Sequence, residues 1–190
     1  MLEKLILLLR RHRTIPQDDA DFIMQHFSIR KVKEGEILLK EGSIAREMFF
    51  ICNGILKIFV INDKGEEVSY FFLKEDQFCT ILDSYENNTV SHEGIKAACD
   101  AELIVLPRKA LLEVYKHLPY LKELIGQITQ AALLEKIAIR NGYLGLDATA
   151  RYKMFVERQA EIALRVSLQD IASYLGVTPQ SLSRIRRGVS

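Results

Sequence analysis

The sequence predicts an α+β protein in which an antiparallel β-sandwich or barrel with flanking helices precedes a long helix and several short C-terminal helices. Short apolar runs alternate with glycine-containing turns from Ser28 to about Leu106, a pattern typical of antiparallel β proteins. From Tyr120 onward the apolar spacing is that of helices. The chain has 190 residues, 48% of them hydrophobic and 27% charged, which is sufficient to bury a core.

Two helices are predicted at the N-terminus. Leu5 and Leu9 recur at helical spacing, and a second short helix follows the break at Pro16. Either Asp18 or Asp19 is expected to cap this second helix, because a carboxylate accepts hydrogen bonds from the free N–H groups of a helix start.

A series of short strands is predicted in the middle of the chain. Turn signals separate the strands, and in Asn53-Gly54 both residues tolerate positive φ, which suits a tight turn. The stretch Asp83–His92 lies between strands and predicts either a solvated loop or a lid that faces a ligand. The predicted strands are Ile29–Val32, Ile37–Leu39, Met48–Ile51, Ile55–Ile61, Val68–Leu73, Gly94–Ala98 and Leu103–Leu106.

After Pro107 the pattern becomes helical, with a short helix over Arg108–His117 and a long helix over Tyr120–Ile139. The long helix carries a broad apolar stripe that an isolated monomer would expose. We therefore expect a homodimer in which this helix pairs with its copy. The residues expected at that interface are Leu121, Leu124, Ile125, Ile128, Ala131 and Ala132.

Gly142 and Gly145 mark a domain boundary, after which Asp147 is expected to cap a helix over Ala148–Gln159. The predicted organisation is a barrel domain over residues 1–118, a dimerisation helix over residues 119–141 and a C-terminal helical domain over residues 142–190.

The last two predicted helices form a helix-turn-helix pattern. Ser167, with an acidic residue three positions later, is a capping box for a helix over Leu168–Leu175. Gly176 ends that helix, and Thr178 caps a final helix over Pro179–Arg187.

The basic residues are concentrated at this end of the chain. Residues 140–190 carry 8 Lys and Arg against 4 Asp and Glu, whereas residues 1–139 carry 18 against 21. This asymmetry favours a polyanion partner, and Arg and Gln on an exposed helix can bind guanine and adenine edges. Alternatively, Arg184 is a scaffold residue that pairs with Asp170. The residues expected to contact DNA are Thr178, Gln180, Ser181, Ser183, Arg184, Arg186 and Arg187.

Several segments resemble the Crp/Fnr family of bacterial transcription regulators. Residues from Ile171 to Arg186 resemble the family's DNA-binding helix-turn-helix, and residues from Val32 to Gly54 resemble the first strands of its cyclic-nucleotide-binding-like domain. The resemblance covers the chain from about Ile29 onward. It implies a double-stranded β-helix (jelly-roll) barrel as sensor, a dimerisation helix and a DNA reader. Many members continue into a β-hairpin wing, and we expect this sequence to lack a full wing because it stops at Ser190.

The resemblance also implies where an effector would bind. Cyclic-nucleotide-binding members hold the ribose with a Gly-Glu pair and the phosphate with an Arg-Ser pair ten residues later. The matching positions here are Thr80-Ile81 and Ser91-His92, which cannot neutralise a phosphate as Arg does. We therefore expect an orphan member whose unknown small-molecule effector, if one exists, is not cyclic AMP. The expected pocket residues are Phe78, Thr80, Ile81, Ser91 and His92.

Several other classes of protein are not indicated. No apolar run approaches the roughly 18 residues that span a bilayer, and the N-terminus lacks the order of a secretory signal, so a cytoplasmic location is expected. The cysteines Cys52, Cys79 and Cys99 are far apart, and the histidines are dispersed, so no metal or cofactor site is predicted. No catalytic motif is present, so we expect no enzyme.

Two functions remain compatible with the sequence. The first is a dimeric DNA-binding transcription regulator that reads a palindromic site. The alternative is a small-ligand-binding or protein-interaction module whose helix-turn-helix no longer reads DNA. A salt-dependent DNA-binding assay discriminates between them.

Overall fold

The computed structural model describes residues 1–189. The helices are α1 (Leu2–His12), α2 (Gln17–Gln25), α3 (Leu82–Asn87), α4 (Arg108–His117), α5 (Pro119–Asn141), α6 (Ala148–Arg158), α7 (Ala160–Arg165), α8 (Leu168–Leu175) and α9 (Pro179–Val189). The strands are β1 (Ser28–Val32), β2 (Ile37–Leu39), β3 (Glu47–Asn53), β4 (Leu56–Ile61), β5 (Glu67–Leu73), β6 (Phe78–Cys79), β7 (Glu93–Ala97) and β8 (Ala101–Pro107). Among the helices of residues 1–189, none combines the length and the hydropathy that a membrane crossing requires.

The strands form two antiparallel sheets, with strand orders β1-β8-β3-β6 and β2-β7-β4-β5. Consecutive strands lie in different sheets except for β4 and β5, which pair as a hairpin, so the chain crosses repeatedly between the two layers as in a jelly roll. Apolar side chains from both sheets, including Phe50, Leu56 and Leu103, are fully buried in one core. The predicted antiparallel barrel with flanking helices is confirmed.

The dipeptide Asn53-Gly54, where the sequence suits a tight turn, connects β3 and β4, which are not paired with each other. It lies at the corner where the chain leaves one sheet and enters the other. Gly54 has a φ of +103°, and an added Cβ would lie 2.4 Å from the Cβ of Ala101. The glycine is therefore required both by its dihedral angle and by the close approach of the β8 backbone.

Three local expectations also differ from the structure. Pro16 occupies the N-cap position of α2, and neither Asp18 nor Asp19 caps it. The stretch expected as a loop or lid, Asp83–His92, begins within helix α3. Gln159 has a φ of −133° and a ψ of 41°, which ends α6 and separates it from α7, a helix that the sequence pattern did not indicate.

A second hydrophobic core is formed by residues of the C-terminal helices together with a few residues of the barrel. Buried residues of α6 and α8 pack together with Ile55, Phe72 and Ala98 from the barrel. Tyr174 of α8 contacts Phe72 of β5, with ring centroids 5.1 Å apart. The helical domain is thus packed directly against the sheet that contains β5.

Candidate DNA interface and barrel cavity

The helix-turn-helix is held by caps and by a small buried core. The Ser167 hydroxyl accepts a hydrogen bond from the N–H of Asp170 at 3.1 Å, which satisfies one free donor of α8. Gly176 ends α8 in the left-handed region, with φ of +68°. Ala172 and Leu182 are completely buried where α8 and α9 meet, so a larger side chain at Ala172 would force the two helices apart.

Helix α9 begins at a capped turn and presents polar side chains outward. Thr178 Oγ1 accepts a hydrogen bond from the N–H of Ser181 at 3.1 Å, and it donates to Ser181 Oγ at 2.9 Å. The hydroxyl of Thr178 is therefore engaged within the turn. Ser183 is half-buried. The exposed residues among those expected to contact DNA are Thr178, Gln180, Ser181, Arg184, Arg186 and Arg187.

The charge on α9 is basic, with no acidic residue in its first turn and with Arg186 and Arg187 in its last turn. The alternative pairing of Arg184 with Asp170 is not found. Asp170 instead binds Lys57 of β4, a contact between residues 113 positions apart that sequence spacing cannot indicate. Arg184 forms no ion pair within residues 1–189, so its guanidinium is available to a partner.

The part of the α5 apolar stripe that was assigned to a dimer partner packs instead against the barrel of the same chain. Leu121, Leu124 and Ile125 are buried in the barrel core of their own chain. Ile128 is half-buried against the same core. These four residues were expected at the dimer interface, but intrachain packing already covers them wholly or in part.

The apolar surface that α5 leaves exposed lies farther along the helix. Leu133, Leu134 and Ile137 are 38%, 59% and 41% exposed. Ala131 is also exposed, whereas Ala132 is half-buried and lines a cavity under β5. We call Leu133, Leu134 and Ile137 the α5 patch.

A small cavity of about 60 Å³ lies between the barrel and α5. Two of the residues expected in an effector pocket, Phe78 and Thr80, line it together with Ile58, Phe71, Leu73, Leu82, Thr129, Ala132, Leu133 and Lys136. This volume is far below that of typical ligand sites, which is about 300–1,000 Å³. The cavity as observed holds a few water molecules at most.

The other expected pocket residues do not line this cavity. The Ser91 hydroxyl is buried and donates a hydrogen bond to the carbonyl of Glu93 at 2.9 Å, which fixes a local turn. Ile81 is buried in the barrel core, and His92 is exposed. Of the five residues expected in an effector pocket, only Phe78 and Thr80 therefore line this cavity.

Lys136 is a cavity residue that the sequence pattern did not single out. Its ammonium donates hydrogen bonds to the carbonyl of Phe72 at 2.6 Å and to Gln77 Oε1 at 3.2 Å. Burial lowers the pKa of Lys136 from 10.5 to about 8. A lysine one turn after Ala132 in an apolar helical stripe was the available signal in the sequence.

The cysteines are poorly placed for reaction as thiolates. Burial raises the pKa of Cys79 to about 12, and it also raises the pKa of Cys52 and of Cys99. Because the thiolate is the reactive form, these thiols are held in their unreactive state.

Comparison with known proteins relates both the barrel and the whole chain to proteins of one kind. Residues 29–117 match the family model of the cyclic nucleotide-binding domain. The transcriptional activator protein anr of Pseudomonas aeruginosa is 27% identical over 170 residues, which cover 82% of this chain and 68% of that protein.

Two solved structures share the fold of nearly the full chain. The c-di-GMP responsive global regulator CLP of Xanthomonas campestris superposes with a TM-score of 0.71 at 14% identity, covering 92% of this chain and 91% of that one. FixK2 of Bradyrhizobium japonicum superposes with a TM-score of 0.71 at 17% identity, covering 86% and 84% of the two chains. The similarity extends from the barrel into the C-terminal helices.

Proposed function

Because the chain belongs to the Crp/Fnr family of regulators, we propose that it is a DNA-binding transcription regulator that acts as a homodimer on a palindromic site. The observation that carries this proposal is the exposed, basic outer face of α9 on a helix-turn-helix with a buried apolar core. Such a helix fits the major groove, where side chains of its first turns reach base edges.

Within that face, Gln180 and Arg184 lie one helical turn apart and are both exposed. We assign base reading to this pair, since Gln suits adenine and Arg suits guanine. Arg186 and Arg187 lie farther along the helix and are assigned to the phosphate backbone. Ser181 stands at the helix start, and its exposed hydroxyl is assigned to a phosphate oxygen.

A homodimer is supported by the α5 patch, which combines three neighbouring exposed apolar side chains on the helix between barrel and reader. Pairing α5 with its copy covers the patch and places two α9 helices about a two-fold axis. Two readers related in this way recognise inverted half-sites whose centres are about one helical turn of DNA apart.

The cavity argues against cyclic AMP as the effector. Its volume of about 60 Å³ does not accommodate a nucleotide, and two of the three N–H donors of Lys136 are bound to the Phe72 carbonyl and to Gln77. A buried phosphate without an arginine or comparable partner would be strongly unfavourable.

Binding of a labelled random-sequence duplex at increasing salt concentration tests the function. The logarithm of the binding constant should fall linearly with the logarithm of the salt concentration, because phosphate contacts release counterions. Millimolar cyclic AMP should leave the affinity unchanged. If the protein does not bind the duplex even at low salt concentration, the alternative is favoured, namely a module that no longer reads DNA.

A further inference from the structure

Strand β5 is an edge strand, and its free backbone groups are bound by side chains from two other parts of the molecule. Ser69 N–H donates to Ser173 Oγ of α8 at 2.9 Å, and Ser173 Oγ donates to the carbonyl of Glu67 at 3.3 Å. Lys136 and Arg140 of α5 donate to two further β5 carbonyls. Edge strands generally need such cover. Here the cover joins the barrel to the long helix and to the helix-turn-helix.

A charge cluster lies beside this edge, with Lys57 buried and its partners half-buried. Lys57 of β4 and Lys96 of β7 are directly paired across the sheet, an arrangement that is unfavourable for like charges. Glu67 of β5 binds both lysines, with 2.5 Å between Lys57 Nζ and Glu67 Oε1. These three residues leave one positive charge uncompensated on the barrel side.

The missing negative charge comes from the helix-turn-helix. Asp170 of α8 binds Lys57, and the two side chains are 19% and 5% exposed. The barrel cluster is therefore neutralised only when α8 is seated in one position over β5. Buried charge pairs of this kind set orientation and register more than they add affinity.

We propose that Lys57 and Asp170 are positioning residues that fix α8, and with it the reader helix α9, relative to the barrel and α5. In a dimer the distance between the two α9 helices then depends on this contact. Lys57 and Asp170 would thus determine which half-site spacing is preferred, although neither contacts DNA. This role rests on the proposed function and adds a specificity determinant to it.

The first test measures half-site spacing. After the half-site has been selected from random DNA, wild type, Asp170→Asn and Lys57→Met are titrated with palindromes whose spacers differ by one base pair. In both variants, the ratio of affinities for the best spacer and its neighbours should fall about threefold or more. Wild-type ratios in both variants, whatever their absolute affinity, would overturn the proposal.

Glu161→Gln is the matched control. Glu161 of α7 pairs with Lys74 of the barrel and so also links the two domains, but the side chains are 64% and 42% exposed. An exposed ion pair contributes little to holding the helical domain in one position on the barrel. This variant should therefore keep the wild-type ratio of affinities for the best spacer and its neighbours. A loss equal to that of Asp170→Asn would contradict a specific role for the buried pair.

A second readout does not depend on DNA. The Ser69 amide is protected by Ser173, so its hydrogen exchange reports whether α8 is seated on β5. Exchange at Ser69 should be about tenfold faster or more in Asp170→Asn and unchanged in Glu161→Gln. If the wild-type protein shows no preference among half-site spacings, the proposed function as a dimeric reader of a palindromic site is wrong. Unchanged Ser69 exchange in Asp170→Asn and Lys57→Met refutes the positioning contact itself.

Discussion

Arg184 and Arg187 lie on the same basic helix but are assigned different roles. Arg184→Ala should lower affinity for a specific site by about 1–3 kcal/mol and relax the preference at one base pair. Arg187→Ala should weaken binding to all sequences alike and reduce the salt slope by about one unit. Binding measured on singly substituted half-sites distinguishes the two. If Arg184→Ala retains the wild-type preference at every position, Arg184 is not a base reader.

Lys136 should make the stability of the protein depend on pH. Its pKa is about 8 in the folded chain and ordinarily 10.5, so between these values the unfolded chain binds more protons and stability rises with pH. Relative to Lys136→Met, the wild-type free energy of unfolding should increase by about 1–2 kcal/mol from pH 7 to pH 9.5. Urea titrations of both proteins at the two pH values measure this. A constant difference between them would contradict the lowered pKa.

At the scale of single elements, two glycines with positive φ provide a matched pair. Gly35 has open space around its missing Cβ, whereas a Cβ at Gly54 would collide with the backbone and side chain of Ala101. Gly35→Ala should cost about 1–2 kcal/mol from backbone strain. Gly54→Ala should cost a further 1–3 kcal/mol or so from overpacking. Equal losses in the free energy of unfolding would show that the corner can relax.

The elements that the sequence predicts well are bounded by local backbone chemistry. Helix α4 matches its expected range, because Pro107 precedes it and Leu118-Pro119 follows it. The cap at Ser167 and the left-handed Gly176 are likewise properties of a few adjacent residues. By contrast, Asn53-Gly54 has the same local signature whether it closes a hairpin or turns between sheets.

The part of the site that the sequence did not predict depends on long-range packing. The stripe on α5 indicates that its apolar face is buried, but not whether the barrel or a second copy covers Leu121 and Ile125. Similarly, the charge of Asp170 gives no sign that Lys57, on a distant strand, is its partner. Such contacts follow from the order of strands in the sheets, which periodicity does not determine.

At the scale of the whole molecule, the α5 patch determines how a dimer can be disrupted. Ile137→Lys should place like charges at the two-fold seam and yield monomers. Ile128→Lys is a poorer choice, because Ile128 packs against its own barrel. Leu164→Lys on α7, where Leu164 is 86% exposed, is the control and should sediment as wild type does. An Ile137→Lys protein that sediments as an unweakened dimer would exclude this helix as the interface.

Two α9 helices are proposed to read DNA together, and selection from a randomised duplex pool tests this most directly. The purified wild-type protein should enrich two inverted copies of one half-site, with centres about one helical turn, or roughly 10 base pairs, apart. Enrichment of a single unpaired motif would contradict dimeric reading. Recovery of no motif would contradict sequence-specific DNA recognition by this chain.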